Sequence, residues 1–288
     1  MTPVVFGNTR QPCLAISVTE IIIPEKNHEV NKKRLTGIPV YWYNEWRKKK
    51  LFLTQEVQTM SAFELGNGLR VIDLTKQLDP ETETRRCHLF RFNTGGPIPD
   101  FHTIMDLTSH LGTHVECPYH HNDNWTDVQG LPISTFMGRA ILVNIDHMEP
   151  NGKIKGEDLE KACGDRIKEG DIVILDSPRK LPPFTPASNT KEDERLFICR
   201  ETAEWLKEKK VKCVGFGDGV SIESNNEDVC AFHDVLMEVD VVFLEVLKNL
   251  EELTTDTFFM SYAPIPIKGL DSCPIRAYAI EGIAEFSK

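Results

Sequence analysis

The 288-residue chain contains no C-x-x-C pair: its eight cysteines, Cys13, Cys87, Cys117, Cys163, Cys199, Cys213, Cys230 and Cys273, all stand singly. That spacing argues against a zinc ribbon, a redox dithiol or a disulfide framework, and reads as reduced thiols in a cytoplasmic protein. No apolar run approaches the ~18 residues that a spanning helix needs. No basic segment leads into an apolar stretch at the N-terminus, and Glu20 and Glu25 flank its one isoleucine run, so no secretory leader and no membrane association are expected. Positive charge is in short supply as well: 33 Lys and Arg stand against 44 Asp and Glu, a net charge of -11. Such a chain has no electrostatic reason to bind nucleic acid or an anionic membrane. There is no internal repeat and no low-complexity tract. With 40% hydrophobic and 27% charged residues the composition is that of a globular protein, so function has to be sought in a site.

Residues 1–68 differ from the rest of the chain. They hold short apolar runs bounded by proline, Trp42, Trp46, and a basic cluster from Arg47 to Lys50 that reads as a solvated face. This stretch is expected to be an N-terminal extension that packs on the main domain or on a partner subunit. From Leu69 the pattern is regular. Strand character appears at 69–75, 139–145, 172–175, 211–216, 239–244, 258–267 and 275–280. Helical spacing appears at 156–163, 200–210 and 228–237. Helices alternate with strands in the middle while strands flank both ends, which predicts a single α/β domain over 69–288 built on a mixed sheet.

Four of the nine histidines fall between His110 and His121. Read as a strand, this segment separates into two faces. One carries His110, Gly112, His114, Glu116, Pro118 and His120; the other carries Leu111, Thr113, Val115, Cys117 and Tyr119. The first suits metal coordination and the second suits burial, which makes Cys117 a core residue and turns His121 away from the site. In a straight strand His110 and His114 would stand ~13 Å apart, too far to share one ion at ~2.0–2.1 Å bond lengths. The chain therefore has to bend, and Gly112 is the residue that can bend it. Nitrogen and oxygen ligands of this kind suit zinc, manganese or iron rather than calcium. A lone histidine on a strand is ordinarily a satisfied core or surface residue, but three with a carboxylate on one face point to a metal. A proton-sensitive hydrogen-bond network also fits the cluster. Tyr119 and Trp125 flank the motif and are candidates for an aromatic substrate wall.

The run His110-x-Gly112-Thr113-His114-x-Glu116-x-Pro118-x-His120 resembles the signature of the cyclase family of metal-dependent hydrolases, which includes kynurenine formamidases and isatin hydrolases. The resemblance extends from about Leu69 to the C-terminus. It takes in Ile72-Asp73-Leu74-Thr75, Gly170 to Leu175, Asp218-Gly219-Val220-Ser221-Ile222, and His233 with Glu245 ahead of Lys248-Asn249-Leu250. It implies the swivelling β/β/α fold of that family. It also implies that His110, His114 and Glu116 hold a first divalent ion, zinc or manganese, and that Glu116, His233 and Glu245 hold a second, giving one or two ions per chain. His120 is implied to be the catalytic histidine that moves protons, while Asp218 and Ser221 are read as loop-shaping groups. Glu116 departs from the family, which usually has aspartate there; the extra methylene moves the carboxylate by ~1.5 Å. The implied activity is hydrolysis of a carbon–nitrogen bond in an aryl formamide or cyclic amide by a metal-activated water. The implied partners are a small-molecule substrate and a second copy of the chain, in a homodimer or higher homo-oligomer. Other functions open to the same residues are a non-catalytic metal- and small-acid-binding protein, a metal-stabilised structural subunit and a non-haem iron oxygenase.

Overall fold

The structure, a computed structural model, describes residues 60–178, 194–222 and 227–286. Most of the N-terminal extension expected from the sequence lies outside the described residues. Strands and helices are numbered in chain order. Four parallel strands form the centre: β6 (Met137–Asn144), β7 (Ile172–Asp176), β9 (Cys213–Phe216) and β11 (Val242–Glu245). Each is short and rich in β-branched or aromatic residues, and β7 (IVILD) buries its first four side chains. A strand apolar on both faces has to be covered on both.

One cover is helical. Helices α1 (Gly156–Cys163), α2 (Arg200–Glu208) and α3 (Glu227–Met237) supply Leu159, Ala203, Leu206, Phe232 and Leu236 to a core with Val143, Val173, Leu175, Val214, Phe216 and Phe243. The apolar residues of α3 recur at Val229, Phe232 and Leu236, the spacing of one helix face, while Glu227 and Asp228 favour its first turn.

The other cover is the sheet itself. Beyond β6 the order continues through β12 (Thr257–Ser261), β14 (Tyr278–Glu281), β2 (Leu69–Asp73) and β1 (Ala62–Gly66). Beyond β11 it continues through β5 (His114–Glu116) and β13 (Ser272–Pro274). Ile72, Val115, Phe258, Met260, Cys273 and Ala279 from these flanks meet Ile172, Ile174, Val242 and Leu244 in a second core without helices. The sheet is therefore curled. The curl is fastened where the chain leaves β2: Thr75 bridges Leu247, and the Lys248 amide donates to the Leu74 carbonyl at 3.1 Å. Burial of side chains of this size is worth roughly 1.5–3 kcal/mol each, so the two cores supply most of the drive to fold.

The mixed α/β sheet expected from the sequence is present, with differences at the edges. β12 stops at Ser261 because Pro264 and Pro266 have no amide hydrogen for a ladder. β1 lies within the stretch assigned to the extension, yet it pairs antiparallel with β2 and joins the sheet. Two small sheets stand apart, β8 (Leu196–Phe197) with β10 (Val220–Ser221), and the hairpin of β3 (Cys87–Asn93) with β4 (Phe101–Leu107). No helix of the described residues is long and apolar enough to cross a membrane.

Candidate metal centre

The site gathers at one end of β11, on the face of the sheet that carries α3. Antiparallel pairing sets Glu245 directly opposite His114, and Phe243 opposite Glu116, so His114, Glu116 and Glu245 share a face. Val115 and Cys117 point the other way into the second core, as the alternation predicts. The strand itself is short. It spans only His114–Glu116, where the sequence suggests a run from His110 to His120, and two local devices bring in the remaining histidines.

The first is Gly112. Its φ of +59° lies in the left-handed region, and a Cβ there would stand 2.6 Å from Leu78 Cδ2. Glycine alone fits, and the bend returns His110 over the strand end. The second is a single 3-10 turn, Pro118–His120, started by a proline that needs no amide partner and closed by the His120 amide donating to the Cys117 carbonyl at 2.9 Å. His233 comes from α3, and its ring rests edge-on against Phe243 at 4.9 Å between centroids.

Glu116 is the hub. Its Oε1 lies 2.6 Å from His110 Nδ1, 3.5 Å from His114 Nε2 and 4.0 Å from His120 Nε2. Its Oε2 lies 3.6 Å from His233 Nε2, and Glu245 Oε2 lies 3.5 Å from His114 Nε2. The sequence-derived ligand candidates and His120 thus form one cluster. The tightest groups, each with donor atoms within 4.8 Å of one another, are His110, Glu116 and His120, and His114, Glu116 and Glu245. They share Glu116 but cut across the two ligand sets that the family resemblance implies.

The ring nitrogens facing outward are all occupied. His114 Nδ1–H donates to the Gly112 carbonyl at 2.8 Å, and His233 Nδ1–H donates to the Val229 carbonyl at 2.7 Å. His110 Nε2–H donates to Asp271 Oδ2 at 2.9 Å. With those protons placed outward, His114 Nε2 and His233 Nε2 present lone pairs to the centre, which is how metal-ligating imidazoles are held, while His110 Nδ1 meets Glu116 Oε1. His114 Nε2 and Glu116 Oε2 are fully buried and have no hydrogen-bond partner. A buried unpartnered nitrogen and carboxylate oxygen would each be destabilising by about 1–3 kcal/mol or more. A divalent ion bound by both removes that penalty, so these residues fit a metal of nitrogen–oxygen preference.

The electrostatics follow from Glu116. Burial opposes its charge, but the imidazoles of His110, His114 and His233 converging on it hold its carboxyl well below the usual range. Burial likewise works against protonation of His110 and His114, but Glu116 with Asp271 beside the first, and Glu116 with Glu245 beside the second, more than offset it, so both lie above the ordinary histidine value. His120 goes the other way: burial, with the charges of His110 and His233, holds it below that value against the pull of Glu116.

A cavity of about 770 Å³ opens over the cluster, lined also by Arg85, Arg86, Thr108, His121, Ile222 and Cys230. Neither Tyr119 nor Trp125, the residues expected as an aromatic substrate wall, is among its lining residues, and Trp125 packs against the helix-side core. His121 faces the cavity rather than away from it. Because the strand ends at Glu116 and a 3-10 turn succeeds it, strand parity no longer applies to His121. Its ring stacks on that of His233 at 5.1 Å, and its Nδ1 lies 2.7 Å from Asp234 Oδ1. Asp271 went unsignalled in the sequence, since it stands 161 residues beyond His110 and is brought in by the β13–β5 pairing. Asp218 stays out of the cluster, and its carboxylate oxygens accept from Lys248 Nζ at 2.6 and 2.7 Å.

The Cyclase family model matches residues 72–224. Kynurenine formamidase of Erythrobacter litoralis is 25% identical over 215 residues, covering 72% of this chain and 92% of that protein. The kynurenine formamidase of Bacillus cytotoxicus is 23% identical over 176 residues, 60% of this chain and 77% of that protein. Among solved structures, isatin hydrolase A from Ralstonia solanacearum superposes with a TM-score of 0.57 at 21% identity, over 87% of this chain and 99% of that one. Isatin hydrolase A from Labrenzia aggregata, bound to benzyl benzoate, gives 0.57 at 20% identity over 74% of this chain and 94% of that one. These likenesses show a shared fold.

Proposed function

The chain belongs to the cyclase family, and from that premise we propose that it is a metal-dependent hydrolase cleaving the carbon–nitrogen bond of an aryl formamide or of a cyclic amide. The observation that carries the reading is the pair of buried, unpartnered atoms, His114 Nε2 and Glu116 Oε2, at the middle of a cluster whose other nitrogens are fixed from behind. The names of the relatives, kynurenine formamidase and isatin hydrolase, supply the two amide classes.

His110, His114, Glu116, His233 and Glu245 would hold one or two ions, zinc or manganese. Such an ion supplies Lewis acidity toward a carbonyl oxygen and lowers the pKa of water toward ~7. The chain's own residues do the rest. Of the four imidazoles around Glu116, His120 is the farthest, has its side chain a third exposed, and is held toward its neutral form. It is therefore able to take a proton from water and hand it to the departing nitrogen. Asp271 Oδ2, 3.5 Å from His120 Nδ1, orients that ring. Free thiols at the described cysteines support the cytoplasm as the working compartment.

The test is turnover of an N-formyl arylamine and of an isatin-type cyclic amide by the purified chain, before and after chelation, with zinc or manganese added back. Loss on chelation and recovery on addition of the metal support the proposal. Metal binding without turnover of either class would favour a binding protein instead, and oxygen consumption would favour an oxygenase.

A further inference from the structure

A second crevice opens at the carboxyl ends of β6 and β7, with a volume of about 530 Å³ that suits a small molecule. It shares no lining residue with the cavity over the metal cluster. Asp176 follows Ile174 by two positions and so projects to the helix-free face, opposite the face on which the metal ligands gather. Leu142, Leu247, Leu250 and Leu253 supply an apolar lining, and Asp176, Ser177 and Glu251 stand among the polar groups around it.

Two of those polar groups lack partners. Ser177 is 3% exposed, and its Oγ is buried with no hydrogen bond. A buried hydroxyl is ordinarily satisfied, so one left over beside a cavity marks a place for a partner from outside the chain. Asp176 is the other. The amides of Ser177 and Gly219 both donate to its Oδ1, and no hydrogen bond reaches its Oδ2. Close packing fixes this geometry: a Cβ on Gly217 would overlap the Asp176 carboxyl, and one on Gly219 would stand 2.6 Å from Ser177 Cβ. Charge is unbalanced as well. Asp218 takes Lys248 and Asp256 takes Arg166, whereas among the described residues no cation pairs with Asp176 or Glu251. Burial, with Asp218 and Glu251 adding to it, pushes the Asp176 carboxyl up to about 6, so at neutral pH it is ionised without a counter-charge.

The missing partner is a cation, and the leucines give it a body. A bare metal ion fits poorly, since among the described residues three donor atoms of histidine, cysteine or carboxylate converge within 4.8 Å only at the metal centre. We propose that this crevice binds a small organic ammonium ion, its N–H groups donating to Asp176 Oδ2 and Ser177 Oγ beside Glu251, its hydrocarbon body lying against the leucines.

The crevice is separate from the metal cluster, so binding rather than turnover tests it. The metal-loaded, full-length chain is titrated calorimetrically at neutral pH with benzylammonium, and with benzyl alcohol, which keeps the ring and lacks the charge. One site per chain is expected, at least about 10-fold tighter for benzylammonium than for the alcohol, and weakened at least about 10-fold in Asp176→Asn and in Ser177→Ala. Circular dichroism reports the fold of each variant, and Ser177→Ala carries the test should Asp176→Asn lose it. No saturable binding up to about 10 mM, equal affinity for the alcohol, or affinity unchanged in either folded variant would overturn the proposal. Binding that is lost on chelation would place the amine on the metal instead, and would overturn it too.

Discussion

Glu116, buried, and Asp176, partly buried, are carboxylates at strand ends of one sheet, and their surroundings drive them in opposite directions. Glu116, at the end of β5, meets four imidazoles and stays charged well below the usual range. Asp176, at the end of β7, is pushed up to about 6 by burial, eased only by amides of Gly219 and Ser177 donating to its Oδ1 at 2.9 and 2.8 Å. Desolvation is common to both, so the difference lies in the partners. Where cationic or metal-binding groups converge, the chain keeps a buried charge that can do chemistry. Where only amides are offered, the carboxylate shapes a turn and is paid for in stability at neutral pH.

The largest effect that sharpens this contrast is expected at His120. His120→Ala leaves the ligands around Glu116 in place, so metal content should hold while turnover falls about 10²–10⁴-fold. Turnover within a few-fold of wild type would remove His120 from proton transfer.

Asp176→Asn breaks the contrast from the other side. The folded-state pKa of Asp176 lies above its unfolded value, so its contribution to stability is whole below about pH 4 and is lost as pH rises through about 6. Asparagine keeps an acceptor for Gly219 and Ser177 and carries no charge. The variant should match wild type near pH 4 and exceed it by up to about 3 kcal/mol above pH 7. Urea unfolding at several pH values checks this, and a difference independent of pH would contradict it.

The smallest effect is expected at Asp271. Its carboxyl would be raised by burial, but the hydrogen bond and charge of His110 hold it below the usual range. Asp271→Ala removes the acceptor behind His110 and should weaken metal affinity about 10–100-fold, measured by competition with a chelator, without unfolding the domain. Unchanged affinity would mean that the bend at Gly112 suffices to orient His110.

Much of this arrangement is legible in the sequence because its determinants are local. The β-branched runs of β6, β7 and β9 and the periodicity of α1–α3 mark the sheet and its helical cover. The alternation through His114, Val115, Glu116 and Cys117 separates site from core correctly. The glycine between His110 and His114 signals the bend that the structure shows. Parity fails at His121, where a strand gives way to a 3-10 turn. The part of Asp271 is invisible because β13 is brought beside β5 from far along the chain. The β3–β4 hairpin is hidden for another reason: Leu89, Phe90, Ile104 and Met105 make both of its faces apolar, so no alternation marks a surface strand. Its turn, Thr94-Gly95-Gly96-Pro97, is the one local signal of the hairpin.

The most direct test of the central claim is elemental analysis of the full-length chain purified without chelator, beside Glu116→Gln. An amide cannot supply the charge that four imidazoles surround. The account predicts one or two equivalents of a divalent metal per chain in the wild type and less than a tenth of that in Glu116→Gln. Equal metal in both, or none in a wild type that still hydrolyses an amide after exhaustive chelation, would contradict it.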